Sequence, residues 1–263
     1  MKIVVCVKQV PDTNEVKIDP IKGTLIRDGV PSILNPDDAN ALEAALKLKD
    51  ELKDVHITVI TMGIPQAGVM LRECLAMGAD EAILVSDRPF AGADTWATSN
   101  TLASALRKVG DCDIIFAGRQ AIDGDTAQVG PQLAERLHIP QVTYVMDINY
   151  DREQKMVTVK RQLEDGYEII QVKTPVLLTA VKELNQPRYM TVGGIVDAYN
   201  KDISLWTLKD LDVQAEEVGL KASPTQVFRS FAPAAKGKGV MLQGSVKDMT
   251  DRLAAELKLK HII

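Results

Sequence analysis

Residues 113–138 read DIIFAGRQAIDGDTAQVGPQLAERLH: an apolar run, a polar loop with glycines at 118, 124 and 130, and a helix-like segment. The unit recurs upstream. Residues 3–7 (IVVCV), 55–61 (VHITVIT) and 82–86 (AILVS) are apolar runs of the same kind. Helix-like segments separate them. DDANALEAALKLKDEL places Ala39, Leu42 and Leu46 on one face, and PQAGVMLRECLAMG and TWATSNTLASALRKVG end at Gly78 and Gly110, residues suited to close a helix. Nearly continuous apolar strands alternating with helices predict a parallel sheet covered on both faces. With right-handed crossovers the expected fold is a doubly wound, Rossmann-like α/β sheet.

After residue 140 the pattern changes. QVTYVMDINY, KMVTVKRQL, GYEIIQVK and PVLLTAV read as strands with no helices between them, hence as β-hairpin additions or extensions of the sheet. From about 185 to 245 periodicity is weak, and Pro187, Gly193, Gly194, Pro224, Pro233, Gly237 and Gly239 punctuate the chain. Val227, Phe228 and Phe231 need a surface to bury against, and a partner chain would supply one. VKDMTDRLAAELKLK sets Met249, Leu253 and Leu257 at helical spacing. The expected division is a nucleotide-binding α/β domain over 1–185 and a docking loop with an extended C-terminal arm over 186–263.

Composition excludes several classes. The 263 residues are 46% hydrophobic and 25% charged with net charge -5, which argues against a nucleic-acid footprint. No apolar run reaches the ~18 residues of a membrane span. MKIVVCVKQVPD reads as a first strand rather than a signal peptide. Cys6, Cys74 and Cys112 are odd in number and set in apolar contexts, as expected of buried thiols in a reducing cytoplasm. A Walker P-loop, a G-x-G-x-x-G after the first strand, H-E-x-x-H and C-x-x-C are all missing, and the three histidines are scattered. Asp123 and Asp125 share part of a Ca²⁺-loop spacing, but the third acid is missing and Gly124 is misplaced. Neither a metal nor a catalytic side chain is expected.

Open α/β sheets bind ligands at the carboxyl ends of their strands. The candidate loops are KQVPDT (8–13), SILNPDD (32–38), TMGIPQ (61–66) and the opening stretch. NPDD is a well-made helix start: Asn35 as cap, Pro36 at the first position, Asp37 and Asp38 toward the positive end of the dipole. Asn35 has the chemistry to bind a ligand as well. Gly63 permits close backbone approach, and a simple strand–turn–helix junction explains it equally. In 118–131, Gly118 leaves no Cβ in a ligand's way, Asp123-Gly124 signals a turn, and Arg119 can neutralise charge or stack on a ring. If Asp125 caps the next helix, the N–H groups of Thr126, Ala127 and Gln128 face an anion, with Thr126 and Gln128 adding side-chain donors. Pro131 then falls inside that helix. In the alternative, Gly130-Pro131 starts the helix and 125–129 is loop. A plain polar loop is the competing reading of the whole stretch.

The ordered set VCVKQVPD, NPDD, AMGADEAILV, GRQAIDGDTAQVGPQLA and NQPRYMTVG, spread over the whole chain, resembles the β subunit of electron transfer flavoproteins. The resemblance implies an adenine-nucleotide α-hydrolase-like domain in a heterodimer with an FAD-carrying α subunit, which the C-terminal arm embraces. It also implies a second nucleotide held in the loops above. KQVPDT and DGDTAQVGP look like the electron-bifurcating group, which holds FAD there and takes hydride from NADH. Electrons then go to ferredoxin or flavodoxin and, through the α-subunit FAD, to an acyl-CoA dehydrogenase. Carried over by position, Cys6, Asn35, Met62 and Gly63 lie around the adenosine half. Gly118, Arg119, Gln120, Ala121, Asp123, Gly124, Asp125, Thr126, Ala127, Gln128 and Val129 wrap the ribityl and phosphate half, and Val10, Pro11 and Asp12 border the ring. Arg188, Tyr189, Met190 and Val192 match the segment that docks the dehydrogenase. A non-bifurcating carrier subunit holding AMP and an adenine-nucleotide-sensing regulatory domain remain as alternatives.

Overall fold

The computed structural model describes residues 1–12, 31–228 and 237–263. Thr13 and Phe231 lie outside them. By contacts the described residues divide into a large unit, 1–12 with 31–228, and a small one, 237–263.

The large unit is built on a nine-stranded sheet. The predicted strand runs appear as β1 (Lys2–Cys6), β4 (His56–Met62), β5 (Glu81–Val85) and β6 (Ile114–Gly118). Two short strands, β2 (Gln9–Pro11) and β3 (Ser32–Leu34), form a separate antiparallel ribbon. The helices are α1 (Pro36–Leu52), α2 (Ala67–Met77), α3 (Thr95–Val109) and α4 (Val129–Leu137). The remaining strands are β7 (Gln141–Asp151), β8 (Met156–Gln162), β9 (Tyr167–Lys173), β10 (Val176–Ala180) and β11 (Ile203–Trp206). Sheet order is β11-β5-β4-β1-β6-β10-β7-β8-β9, parallel from β11 to β7 and antiparallel only at β7-β8-β9.

Strand alternation divides the core between the two faces. Ile3, Val5 and Val7 join Leu42, Leu46 and Leu71 of α1 and α2 on one side. Val4 and Cys6 join Leu102, Leu106 and Leu133 of α3 and α4 on the other. Each such side chain, fully buried, contributes about 1.5–3 kcal/mol. Lys49 near the end of α1 ties the helix to the turn before β5, its Nζ donating to both oxygens of Asp80 at 2.6 and 2.7 Å. The same carboxylate accepts the Ile57 N–H at 2.9 Å.

Three expectations change. PVLLTAV is no hairpin arm: β10 inserts between β6 and β7, parallel to both and buried at every residue. The weakly periodic stretch after 185 folds into α5 (Val192–Tyr199), β11 and α6 (Gly219–Ala222). Because β11 pairs with β5, the large unit runs past the expected boundary at 185 to Phe228. Its elements are too short to leave a clear period.

In the small unit the expected terminal helix is present as α7 (Val246–Leu259). Ser245 opens it with a capping box: Ser245 Oγ accepts the Asp248 N–H at 3.2 Å, and Asp248 Oδ2 accepts from Ser245. No α7 residue is buried. Among the described residues no helix is long and apolar enough to cross a membrane.

Candidate functional site

Strand order reverses around β1: β4 and β5 lie on one side of it, β6 and β10 on the other. Ligands of open α/β sheets sit at such a switch point, beyond the carboxyl ends of the strands. Here the first turn of α1 fills the cleft floor. Asp38, 6% exposed, accepts the Lys8 N–H on Oδ2 at 2.8 Å and the Gly118 N–H on Oδ1 at 2.9 Å. Burial pushes this carboxyl up to about 7, against hydrogen bonds from Asn35, Gly118 and Lys8 that lower it.

Asn35 is fully buried and makes no cap bond with its own helix. Its Nδ2 donates to the Gln120 carbonyl at 2.9 Å, its Oδ1 accepts the Ile122 N–H at 3.1 Å, and its main-chain N–H reaches the Lys8 carbonyl at 2.9 Å. Asn35 is therefore a strut under the loop. A Cβ at Gly118 would lie 2.3 Å from Asp38 Oδ1 and 2.8 Å from the Asp37–Asp38 backbone, so the glycine admits the helix start.

The loop after β6 is held by short-range bonds. The N–H groups of Gly124 and Asp125 converge on the Ala121 carbonyl at 3.2 and 2.8 Å. Lys8 Nζ pairs with Asp123 Oδ1 at 2.6 Å, and Gln120 Nε2 donates to Asp125 Oδ1. Asp125 and Ala127 both take left-handed backbone, φ 52° and 51°. Asp125 does not cap a helix: α4 begins at Val129 after Gln128, whose Oε1 accepts from Thr95 Oγ1 at 3.0 Å. Pro131 thus stands in the first turn, where its missing N–H removes no helical bond. Among the described residues the N–H groups of Thr126, Ala127 and Gln128 have no acceptor. They stand at the positive end of α4. Gly130 lets α4 approach β10, since a Cβ would lie 2.7 Å from Thr179 Cγ2.

Arg119 sits between Asp37 and Tyr144. Its Nε is 3.4 Å from Asp37 Oδ2, and its guanidinium lies 5.9 Å from the Tyr144 ring centroid. Among the described residues neither Nε nor Oδ2 has a hydrogen-bond partner, so this is a charge contact at distance that leaves buried polar capacity beside the loop. Burial raises the Asp37 carboxyl, with Arg119 opposing.

The other expected positions divide. Met62, Gly63, Pro11, Arg119, Gln120 and Ala121 are partly exposed around the cleft, and Asp12, Asp123, Gly124, Asp125 and Thr126 are exposed. Cys6 is a buried thiol on the α3–α4 side of β1, pushed up to about 12 mainly by burial. Val10 is 1% exposed within β2 and does not border open space. Missed altogether were Asp38 as a brace and Lys8 as the partner of Asp123. The acidic pair of NPDD carried the signal, but the helix dipole alone explains two acids at that position.

The expected docking segment is anchored from behind. Arg188 Nε and Nη2 bind the Glu43 carboxylate at 2.8 and 3.0 Å, and Nη2 also reaches Asp50 at 2.7 Å. Asn40 and Asn185 exchange side-chain-to-carbonyl bonds at 2.7 and 2.9 Å. Arg188 thus fastens the segment to α1. Tyr189 and Val192 are 93% and 81% exposed, and Met190 and Tyr199 edge a groove of about 500 Å³ between α2 and α5.

The family model for the electron transfer flavoprotein domain matches residues 22–211. The caffeyl-CoA reductase–Etf complex subunit CarD of Acetobacterium woodii is 64% identical over 264 residues, covering all of both chains. The electron transfer flavoprotein subunit beta of Clostridium acetobutylicum is 57% identical, again over the full length of both. The acryloyl-CoA reductase electron transfer subunit gamma of Anaerotignum propionicum is 51% identical over all of both chains.

Proposed function

Since the chain belongs to the electron transfer flavoprotein family, among its β subunits, we propose that it is the β subunit of an electron-bifurcating heterodimer that holds FAD in the cleft between β1 and β6. The carrying observation is the cradle: three main-chain N–H groups without acceptors, at a helix start, on a loop strutted by Asn35 and Asp38. It suits a diphosphate. The unfilled polar capacity of Arg119 and Asp37 suits further polar atoms of the same ligand. When bound, FAD would accept hydride from NADH and release the two electrons singly, to ferredoxin or flavodoxin and, through the α-subunit FAD, to an acyl-CoA dehydrogenase. The chain's residues supply no acid, base or nucleophile; they place the nucleotide. Thr126 to Gln128 bind phosphate oxygens, Lys8 steadies the loop through Asp123, and Met62 and Gly63 flank the adenosine. Two of the relatives named as parts of CoA-ester reductase complexes support the choice of partner.

A carrier subunit holding AMP is the second reading, because one phosphate would also satisfy the cradle. Co-purifying the chain with its α partner and counting nucleotides separates the two. Two FAD per heterodimer, bleached by NADH, is the expected result. One FAD plus one AMP would sink the bifurcating reading, and no nucleotide on this chain would sink both.

A further inference from the structure

We propose that Asp38 is a positioning residue for the nucleotide: its carboxylate sets the gap between the end of β1 and the loop after β6, and only the ionised form holds both sides. The proposal rests on the nucleotide reading above and extends it to a group outside the ligand's reach. The geometry is specific. One buried carboxylate takes a main-chain N–H from each wall of the cleft, Lys8 at 2.8 Å and Gly118 at 2.9 Å. Lys8 leads into the β2 ribbon and pairs with Asp123, while Gly118 leads into the cradle. A proton on either oxygen turns an acceptor into a donor facing an N–H, and one wall is released.

The charged and titratable groups around Asp38 leave it as the group that changes state near neutrality. Asp37 precedes it on α1, and its carboxyl faces Arg119 of the β6 loop. From β1 come Cys6 and Lys8, the latter paired to Asp123. From α2 comes Cys74. Cys6 is pushed up to about 12 and Cys74 upward, both chiefly by burial, so neither thiol ionises in the relevant range. Burial carries Asp38 to about 7. A raised carboxyl favours the fold at low pH, and that contribution is lost as pH rises through about 7. Above it the fold retains an ionised carboxylate at a cost to stability. A residue serving only the fold has no need of that charge; a residue holding two walls at a fixed spacing does.

The test uses the heterodimer with the α-subunit FAD in place and this chain's nucleotide removed, with FAD as probe because its diphosphate does not titrate near neutrality. Dissociation constants are measured at pH 8 and pH 6 for wild type, Asp38→Asn and Asp38→Ala. Wild type is expected to bind about tenfold more weakly at pH 6 than at pH 8. Asp38→Asn should bind at least about tenfold more weakly at pH 8, with little pH dependence and a thermal midpoint no lower than wild type's. Unchanged affinity in Asp38→Asn overturns the proposal while the nucleotide reading stands, as does a loss of affinity matched by a large fall in thermal midpoint. Wild type in which this chain binds neither FAD nor AMP overturns both. Should the variants fail to assemble, the wild-type profile decides, and a flat one overturns the proposal.

Discussion

Replacing Gly118 with alanine puts a methyl group where the α1 start already stands. The new carbon would lie 2.3 Å from Asp38 Oδ1 and 2.8 Å from both the Asp37 carbonyl carbon and the Asp38 nitrogen. Two of these three neighbours are backbone, so a rotamer change does not relieve the clash. The strand end must move off the helix, and the Gly118 N–H then loses its bond to Asp38. Overpacking costs about 1–3 kcal/mol, and a hydrogen bond to a charged group is worth about 1.5–3 kcal/mol. Part of the second is recovered by water, which leaves about 3 kcal/mol in all. For a chain of this length that lowers the thermal midpoint by roughly 6–12 °C. Gly124→Ala is the control, because nothing lies within 4 Å of its Cβ position. It should stay within about 0.5 kcal/mol of wild type. Denaturant melts of the two variants, with FAD titration of each, give the comparison. A Gly118→Ala protein as stable as the control and equally able to take up FAD would refute the packing argument.

Three further outcomes are expected. Arg188→Ala leaves Glu43, 3% exposed, without its partner and should cost about 2–4 kcal/mol, read as an earlier thermal midpoint and faster proteolysis near residue 189; an unchanged melt would show that the clasp is idle. Burial alone would raise the Asp80 carboxyl, but bonds from Lys49 and Ile57 outweigh it and hold the carboxyl below its ordinary value. The stability it lends is present above the ordinary carboxyl range and lost as pH falls through its lowered value. Asp80→Asn should therefore be weaker than wild type at pH 7 by about 1–2 kcal/mol and equal to it in strong acid, and a gap independent of pH would count against the ion pair. Val192→Asp, at an 81% exposed position, should keep the wild-type melt and flavin content while slowing electron transfer to the dehydrogenase; equal loss of both would remove Val192 from the docking surface.

The alternation that predicts the sheet was legible because β1, β4, β5 and β6 are buried on both faces, and continuous apolar runs follow from that. β10 is equally buried, but it is preceded by a hairpin instead of a helix, so periodicity alone did not place it in the parallel core. That a loop over 119–128 follows β6 was visible from the glycines and turn residues. The conformations at Asp125 and Ala127 were not, because neither is glycine and the left-handed region is uncommon for both. The roles of Asn35, Asp38 and Arg188 were hidden for a common reason. Each acts on a segment 80 or more residues away, and single-sequence patterns carry no long-range partners.

Helix α1 carries both sets of contacts. Its first turn grips the loops after β1 and β6 through Asn35 and Asp38, and Asn40, Glu43 and Asp50 further along grip the segment running up to Tyr189. Between Asp38 and Asp50 lie about 18 Å of continuous helix, at ~1.5 Å per residue. Electron tunnelling weakens exponentially with distance, so were a partner seated on that segment and the proposed nucleotide on those loops, α1 would gauge the separation between them. The helix serves as the subunit's ruler, and loop fluctuations at either end change the span little.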